Sequence, residues 1–344
     1  MKKRVIATVC GVVLVGVVVL LVQLLVPRRY HGHTLSPRAT TRYWDLSNGS
    51  RLAYTHLEAK GVKQPIPIIY LHGGPGGHIT DRDIETFSAL SEIGFEVYLY
   101  DQLGGGRSMR SEELGDYTMA RHLADLHEII GQIHTTKVIL IGQSWGSILA
   151  AHFVAKYPDK VAKIVFTSPG PLFPIRQELA TLHPPDSLPL RNPIFSNAQG
   201  NQKAHNLRTK AMAFLATHFG LKLASDQEAD DFMAYLSYEV NKSTVCDTAN
   251  IRPEEAGNGF YASVMTLKSL EAIHDPRPTL KVLNTPVLVI KGQCDNQKWG
   301  YTSEYLALFK NSRLAFIPNA GHFIAVEQRE AYLNILREFL VGLP

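Results

Sequence analysis

The chain has 344 residues, enough for one large α/β domain with an insertion or for two ordinary domains. Hydrophobic residues make up 45% of the sequence and charged residues 19%, proportions that exclude a largely disordered chain. The net charge of +4 is small, and no basic stripe interleaved with aromatic residues follows the N-terminus, so the sequence argues against nucleic-acid binding.

The first predicted element is an apolar helix. Val5–Val26 carries no charge, and its 22 residues would extend ~33 Å, about the thickness of a bilayer's hydrocarbon core. A signal peptide usually has a shorter apolar core and a cleavage site of small residues, whereas this run ends in Leu-Val-Pro-Arg-Arg. We therefore expect residues 1–27 to be an uncleaved single-pass anchor, with a cleaved signal peptide as the alternative. The short N-terminal tail favours an extracytoplasmic location for the rest of the chain.

A polar linker and a hairpin follow. Residues 28–40 contain proline and lack apolar periodicity, which is typical of a linker. His31 and His33 lie in it without a further metal ligand nearby, so we predict no metal site. Asn48-Gly49 separates two extended runs and predicts a β-hairpin turn.

The remainder alternates between strands and helices. Short apolar runs predict strands buried on both faces of a parallel sheet, at 68–71, 97–100, 138–141, 164–167, 286–290 and 314–317. Helical stretches with three- and four-residue apolar spacing lie between them, the pattern of a doubly wound α/β domain. We assign this core to residues 41–170 and 281–344.

Residues 171–280 interrupt the alternation. They contain no clear strand, but they do contain a proline-rich stretch and three predicted helices, near Ala204–His218, Asp226–Lys242 and Gly259–Ala272. A helical insertion between two strands of such a sheet is expected to form a cap over the active site.

Three cysteines are too few for a disulfide framework. Cys10 lies in the apolar run, which leaves Cys246 and Cys294 as a candidate pair. We expect two free thiols, with a disulfide as the alternative.

The sequence Gly142-Gln-Ser144-Trp-Gly146 lies between a predicted strand and a predicted helix. The G-x-S-x-G pattern alone is weak, but in this context it is typical of a nucleophilic serine on a tight strand-to-helix turn. The two glycines are needed because strand and helix pass too close together for side chains.

A serine nucleophile needs a base, and the base needs an orienting acid. His322 and Asp295 each follow one of the last two predicted strands, and the chain order serine, acid, histidine is the one found in this class of enzyme. Strand carboxyl ends are where sites collect in open α/β sheets. We therefore predict a triad of Ser144, Asp295 and His322.

An oxyanion hole is the fourth predicted feature. His72-Gly-Gly74-Pro-Gly76 follows a strand, and its glycines leave backbone N–H groups free to approach a substrate oxygen. We predict that Gly74 and Trp145, the residue after the serine, donate these N–H groups. A phosphate-binding loop is excluded because the Gly-Lys-Ser/Thr ending is missing.

These motifs resemble the proline iminopeptidase family of α/β-hydrolases. The matching sequences are HGGPG at 72–76, DQLGGGRS at 101–108, GQSWGS at 142–147, GQCD at 292–295 and NAGH at 319–322. The family's second motif usually has arginine where this chain has Leu103. The resemblance implies the α/β-hydrolase fold, no cofactor, and release of an N-terminal proline or similar residue from short peptides. It is much weaker across the insertion, where carboxylates of the family's cap recognise the substrate amine. Glu239 and Glu255 are the candidates here.

Two other functions stay open. A membrane-anchored carboxylesterase or lipase-like enzyme is the main alternative, and a non-catalytic binding protein of the same fold is disfavoured by the intact triad residues. Epoxide hydrolases and haloalkane dehalogenases are excluded because they need a carboxylate nucleophile at the position of Ser144.

Overall fold

The computed structural model describes residues 2–30, 35, 38–251 and 256–342. Its centre is an eight-stranded sheet with the order β1-β2-β4-β3-β5-β6-β7-β8. The strands are β1 (Arg42–Asp45), β2 (Arg51–Leu57), β3 (Ile68–Leu71), β4 (Val97–Tyr100), β5 (Val138–Gln143), β6 (Val161–Thr167), β7 (Val287–Gly292) and β8 (Ser312–Ile317). β2 pairs antiparallel with β1 and β4, and all other pairs are parallel.

The helices flank this sheet. They are α1 (Lys2–Leu25), α2 (Asp81–Ser91), α3 (Met119–Gln132), α4 (Trp145–Lys156), α5 (Asn197–Ala204), α6 (Leu207–Phe219), α7 (Asp226–Asn241), α8 (Phe260–Ser269), α9 (Arg277–Leu280), α10 (Trp299–Leu308), α11 (Ile324–Glu327) and α12 (Arg329–Val341). Each predicted strand and the hairpin at Asn48-Gly49 are present.

Both faces of the sheet are covered, as the apolar runs predicted. The buried core divides into two clusters of apolar side chains, one packed with α3, α4 and α10 and the other with α2 and α12. All four residues of β3 are buried, and so are all six of β5. Strands buried on both faces have no polar side to turn outward, which explains why their sequences do not alternate.

The segment between β6 and β7 contains helices α5 to α9 and no strand among its described residues. α5 was not predicted as a separate helix, because its residues (NAQGNQKA) are polar and only Gly200 and Ala204 are buried. Residues of α5, α7 and α8 contribute to the wall of the cavity that contains Ser144. The boundaries at 171 and 280 stay predictions.

The N-terminal helix α1 is the one described helix that is long and apolar enough to cross a membrane, with Thr8–Leu25 as its most apolar window. None of that window is buried against the rest of the protein. Its last turn contacts the insertion, where Arg208 donates to the Leu24 carbonyl. The predicted linker continues this contact, since the Arg28 amide donates to Glu228 and Tyr30 packs on Phe232. His31 and His33 lie outside the described residues.

The prediction of two free thiols was wrong, because Cys246 and Cys294 form a disulfide. Cys246 follows α7 in the insertion and Cys294 follows β7 in the core. They are 48 residues apart in sequence, but the fold brings their Cα atoms to 5.2 Å. That distance lies within the range that a disulfide requires. The bond ties the insertion to the loop of Asp295.

Candidate active site

The turn that carries Ser144 is strained and tightly packed. Ser144 has φ +54° and ψ −113°, a conformation that is uncommon for a residue with a side chain. A Cβ on Gly142 would lie 2.4 Å from the Gly146 carbonyl oxygen, and a Cβ on Gly146 would lie 1.9 Å from the Leu71 oxygen. Both glycines are therefore required for the strand and helix to meet at this turn.

His322 and Asp295 form a hydrogen-bonded pair. His322 Nδ1 lies 2.8 Å from Asp295 Oδ1, and both side chains are almost fully buried. Burial alone would raise the pKa of Asp295, but the nearby Lys291 ammonium and His322 hold that pKa well below its usual range. Asp295 is thus a carboxylate at neutral pH. A carboxylate bonded to Nδ1 keeps the proton there and leaves Nε2 free to act as a base.

Ser144 and His322 line the same cavity, whose volume is about 710 Å³. No hydrogen bond joins their side chains in the part of the chain that the structure describes. Such bonds often tighten only in the complex with substrate. The cavity therefore brings the predicted nucleophile and base together with Asp295 directly behind the histidine.

The predicted oxyanion hole borders this cavity. Gly74 lines it, and Trp145 is the first residue of α4, directly after Ser144. His72 Nε2 accepts a hydrogen bond from the Gln102 amide, so its proton is assigned to Nδ1, which donates to the Gly73 carbonyl. Since the N–H of a trans peptide points opposite to its C=O, this bond orients the Gly74 N–H. Burial lowers the pKa of His72 to about 4, so its ring stays neutral.

Gln102 links these parts and was not singled out from the sequence. Its side chain donates to the His72 carbonyl and accepts from the Trp145 indole N–H at 2.8 Å. It thereby fixes the glycine turn relative to the start of α4. The sequence feature that could have identified Gln102 is its place in the DQLGGGRS motif. The next residue of that motif, Leu103, is buried among apolar side chains.

The insertion also holds the His322 loop, which the sequence did not reveal. The Thr244 carbonyl accepts from the His322 amide at 2.7 Å. Glu327, on α11, accepts from the amides of Gly321 in that loop and of Cys246 in the insertion. A single carboxylate between two loops gives no periodic pattern that a sequence search would find.

The structure does not bring Glu239 into the cavity. Its carboxylate is buried and bonded to Lys203 Nζ at 2.8 Å and Lys242 Nζ at 2.6 Å. Burial would raise the pKa of Glu239, but the two lysines lower it. Both oxygens are therefore occupied by cations of the protein itself. Glu255, the other predicted amine-binding residue, lies outside the described residues.

The described cavity wall has few charges. Its carboxylates are Asp81, which pairs with Arg38, and Asp83, which accepts hydrogen bonds from Thr80 at the start of α2. The described residues of the insertion contribute amide, hydroxyl and apolar groups to the wall, namely Asn197, Asn201, Met233, Leu236, Ser237, Val240, Asn241, Thr244, Val245, Asn250, Ile251, Asn258 and Ser263. Across the described residues, no cluster of three or more His, Cys, Asp or Glu side chains is placed to hold a metal ion.

The chain is similar in sequence to several known proteins. The proline iminopeptidase of Saccharolobus solfataricus is 24% identical over 85% of this chain and 89% of its own length. Other proline iminopeptidases match at 22–25% identity, which confirms the resemblance seen in the motifs. A putative 2-succinyl-6-hydroxy-2,4-cyclohexadiene-1-carboxylate synthase of Bacillus subtilis is 26% identical over 87% of this chain and 97% of its own length.

Among solved structures, an esterase of Thermogutta terrifontis superposes with a TM-score of 0.62 at 19% identity, covering 88% of this chain and 99% of that one. The family model described as alpha/beta hydrolase fold matches residues 66–328, which include Ser144, Asp295 and His322. The chain therefore belongs to the α/β-hydrolase family.

Proposed function

We propose that this protein is a serine hydrolase that works through an acyl-enzyme on Ser144. The Ser144 oxygen bonds to the substrate carbonyl carbon while His322 Nε2 takes the hydroxyl proton. The N–H groups of Gly74 and Trp145 stabilise the negative charge that develops on the carbonyl oxygen. The leaving amine or alcohol departs with the proton from His322. A water molecule then gives a proton to His322 and bonds to the acyl carbon, and the Ser144 oxygen leaves with that proton, which releases the acid.

The main support for this proposal is the arrangement of three side chains. His322 forms a hydrogen bond of 2.8 Å with Asp295, and it lines the same cavity as Ser144, the serine on the strained turn. Chemistry of this kind needs a nucleophile, a base and an orienting acid in that arrangement.

For the substrate, we propose short peptides with a free N-terminus, from which the first residue is released. Support comes from the proline iminopeptidases that match most of the chain. An ammonium group in a partly buried site needs a carboxylate partner. Since both oxygens of Glu239 are bonded to lysines, Glu255 is the remaining predicted residue for that role.

Ester hydrolysis is the second candidate. The described part of the insertion presents no carboxylate to the cavity, so the wall suits a neutral acyl group at least as well as an ammonium. A neutral ester needs only the triad and the oxyanion hole, together with apolar surface such as Met233 and Leu236 for its acyl chain.

Kinetics on two substrates decide between these candidates. The full-length protein is assayed in detergent with prolyl- and alanyl-naphthylamide, which carry a free amine, and with a short-chain nitrophenyl ester. Peptidase function predicts that Glu255→Gln lowers kcat/KM for the amides roughly 10- to 150-fold, the effect of losing a charge-assisted hydrogen bond, and leaves the ester almost unchanged. Glu254→Gln, one residue away, is the matched control. Hydrolysis of the ester alone would refute the peptidase proposal and favour the second candidate.

We further propose that α1 anchors the protein in a membrane with the hydrolase domain on the extracytoplasmic side. The exposed apolar helix supports the anchor, and the Cys246–Cys294 disulfide supports an oxidising compartment. The full-length protein should stay in membranes after carbonate extraction. Recovery of a soluble protein that lacks residues 1–26 would mean that the helix is a cleaved signal peptide.

A further inference from the structure

β7 contains a lysine that the proposed mechanism does not use. The strand reads Val-Leu-Val-Ile-Lys-Gly, and Lys291, near its carboxyl end, is 1% exposed. Burying an ammonium group is unfavourable unless it is paired and hydrogen-bonded. The charge of Lys291 therefore requires an explanation.

The partner of Lys291 is the predicted triad acid. Lys291 Nζ lies 2.8 Å from Asp295 Oδ2 and 2.7 Å from the Gln297 carbonyl oxygen. The other oxygen of the carboxylate, Oδ1, accepts from His322 Nδ1 at 2.8 Å and from the Gln297 amide at 3.1 Å. The two oxygens of Asp295 are thus divided between the lysine and the histidine.

We propose that Lys291 is a positioning residue of the triad, whose ammonium group fixes the Asp295 carboxylate so that Oδ1 faces His322. This inference rests on the proposed serine-hydrolase function. Without the ammonium group, the carboxylate keeps its bonds at Oδ1, to His322 and to the Gln297 amide, but loses the ammonium donor at Oδ2, so it is held less firmly and the imidazole is oriented less precisely. The positive charge also offsets part of the attraction between the carboxylate and the imidazolium that forms during catalysis.

Other titratable groups lie next to His322 or along the cavity wall. Glu327 of α11 is bonded to the Gly321 amide, next to His322. Further along the cavity wall lie hydrogen-bonded groups of α2, β3 and α12, namely Asp83, Tyr70 and Tyr332. A substitution of Lys291 changes none of them directly, so its effect on the pH dependence reports the lysine.

The test uses Lys291→Met and Lys291→Gln in the full-length protein. A fluorophosphonate probe, which reacts with an activated serine, is used to measure the labelling rate of Ser144 as a function of pH. We expect the maximal rate to fall on the order of 10- to 100-fold, because the histidine is no longer held in place. We expect the inflection of the profile to move to higher pH, because removing the positive charge of Lys291 favours a positive charge at the other oxygen of the same carboxylate.

Lys163→Met is the matched control. Lys163 lies on the neighbouring strand β6, but its ammonium group bonds to the carbonyl oxygens of Phe339 and Leu340. Its loss should leave both the rate and the inflection unchanged. A merely structural lysine would alter stability without moving the inflection.

The possible results distinguish a failure of this inference from a failure of the proposed function. Lys291 variants with a wild-type inflection and a rate within twofold of wild type would overturn this inference while leaving the proposed function intact. Loss of folding in both variants would also overturn it, because the role would then be structural. A folded wild-type protein that the probe does not label at Ser144 would instead refute the proposed function.

Discussion

Replacing Gly146 with alanine tests the close packing that shapes the serine turn. A Cβ at this position would lie 1.9 Å from the Leu71 carbonyl oxygen and 2.9 Å from that of His72, whereas ordinary van der Waals contact begins at 3.4 Å. Both obstacles are backbone atoms, so the start of α4 must move from β3 by about 1.5 Å. Overpacking of this size lowers the free energy of unfolding by about 3 kcal/mol.

The catalytic rate should also fall, because Ser144 and Trp145 move with the start of α4. A displacement of about 1 Å in a catalytic group lowers the rate by about 100-fold. The assays are denaturant unfolding and the rate of fluorophosphonate labelling, both on the full-length protein in detergent.

Gly131→Ala is the matched control. Gly131 lies in α3, and a Cβ there meets nothing within 4 Å. Alanine should stabilise that helix by about 0.5–1 kcal/mol and leave labelling unchanged. The packing argument is refuted if Gly146→Ala is as stable as wild type and is labelled within twofold of its rate.

Three further predictions follow from buried groups. Reducing the Cys246–Cys294 disulfide should lower the free energy of unfolding by ~4 kcal/mol, since it closes a loop of 48 residues, and Cys246→Ser should reproduce the loss. Glu239→Gln should slow amide and ester hydrolysis by the same factor, because the pairs of Glu239 with two lysines of the protein give it a structural role. An effect on amides alone would contradict this role. Burial lowers the pKa of His152 to about 4, so wild-type stability should fall as the pH drops from about 6.5 towards 4, by up to about 3 kcal/mol for this residue. His152→Leu should flatten that part of a pH series of unfolding curves, and an unchanged slope would refute the assignment.

Features with a local signature could be predicted from the sequence. The strands were found because both faces of β3 and β5 are buried and their sequences are therefore continuously apolar. The strained turn at Ser144 could be predicted because close approach of strand and helix demands glycine at fixed positions. The structure also brings His322 and Asp295 together, since both follow strands that end at the same edge of the sheet.

Features that depend on long-range contacts could not be predicted. Whether Cys246 approaches Cys294 depends on how the insertion packs on the core, and whether Glu239 is free depends on Lys203 of another helix. Lys291 did leave a signal, a charge inside an apolar strand, but its partner is identified only by the fold. The helices within residues 171–280 bury few apolar side chains in a regular pattern, so the sequence specifies their packing less clearly than that of the strands.

The most direct test of the proposed function is to identify the residue that reacts with a fluorophosphonate probe. The full-length protein is labelled in detergent, digested and mapped by mass spectrometry, beside Ser144→Ala and a heat-denatured sample. We expect the probe on the peptide that contains Ser144, no labelling of Ser144→Ala or of denatured protein, and labelling slowed by several orders of magnitude in His322→Ala. Labelling that persists in Ser144→Ala, or a folded wild-type protein that does not react, would contradict the proposal that Ser144 is the nucleophile.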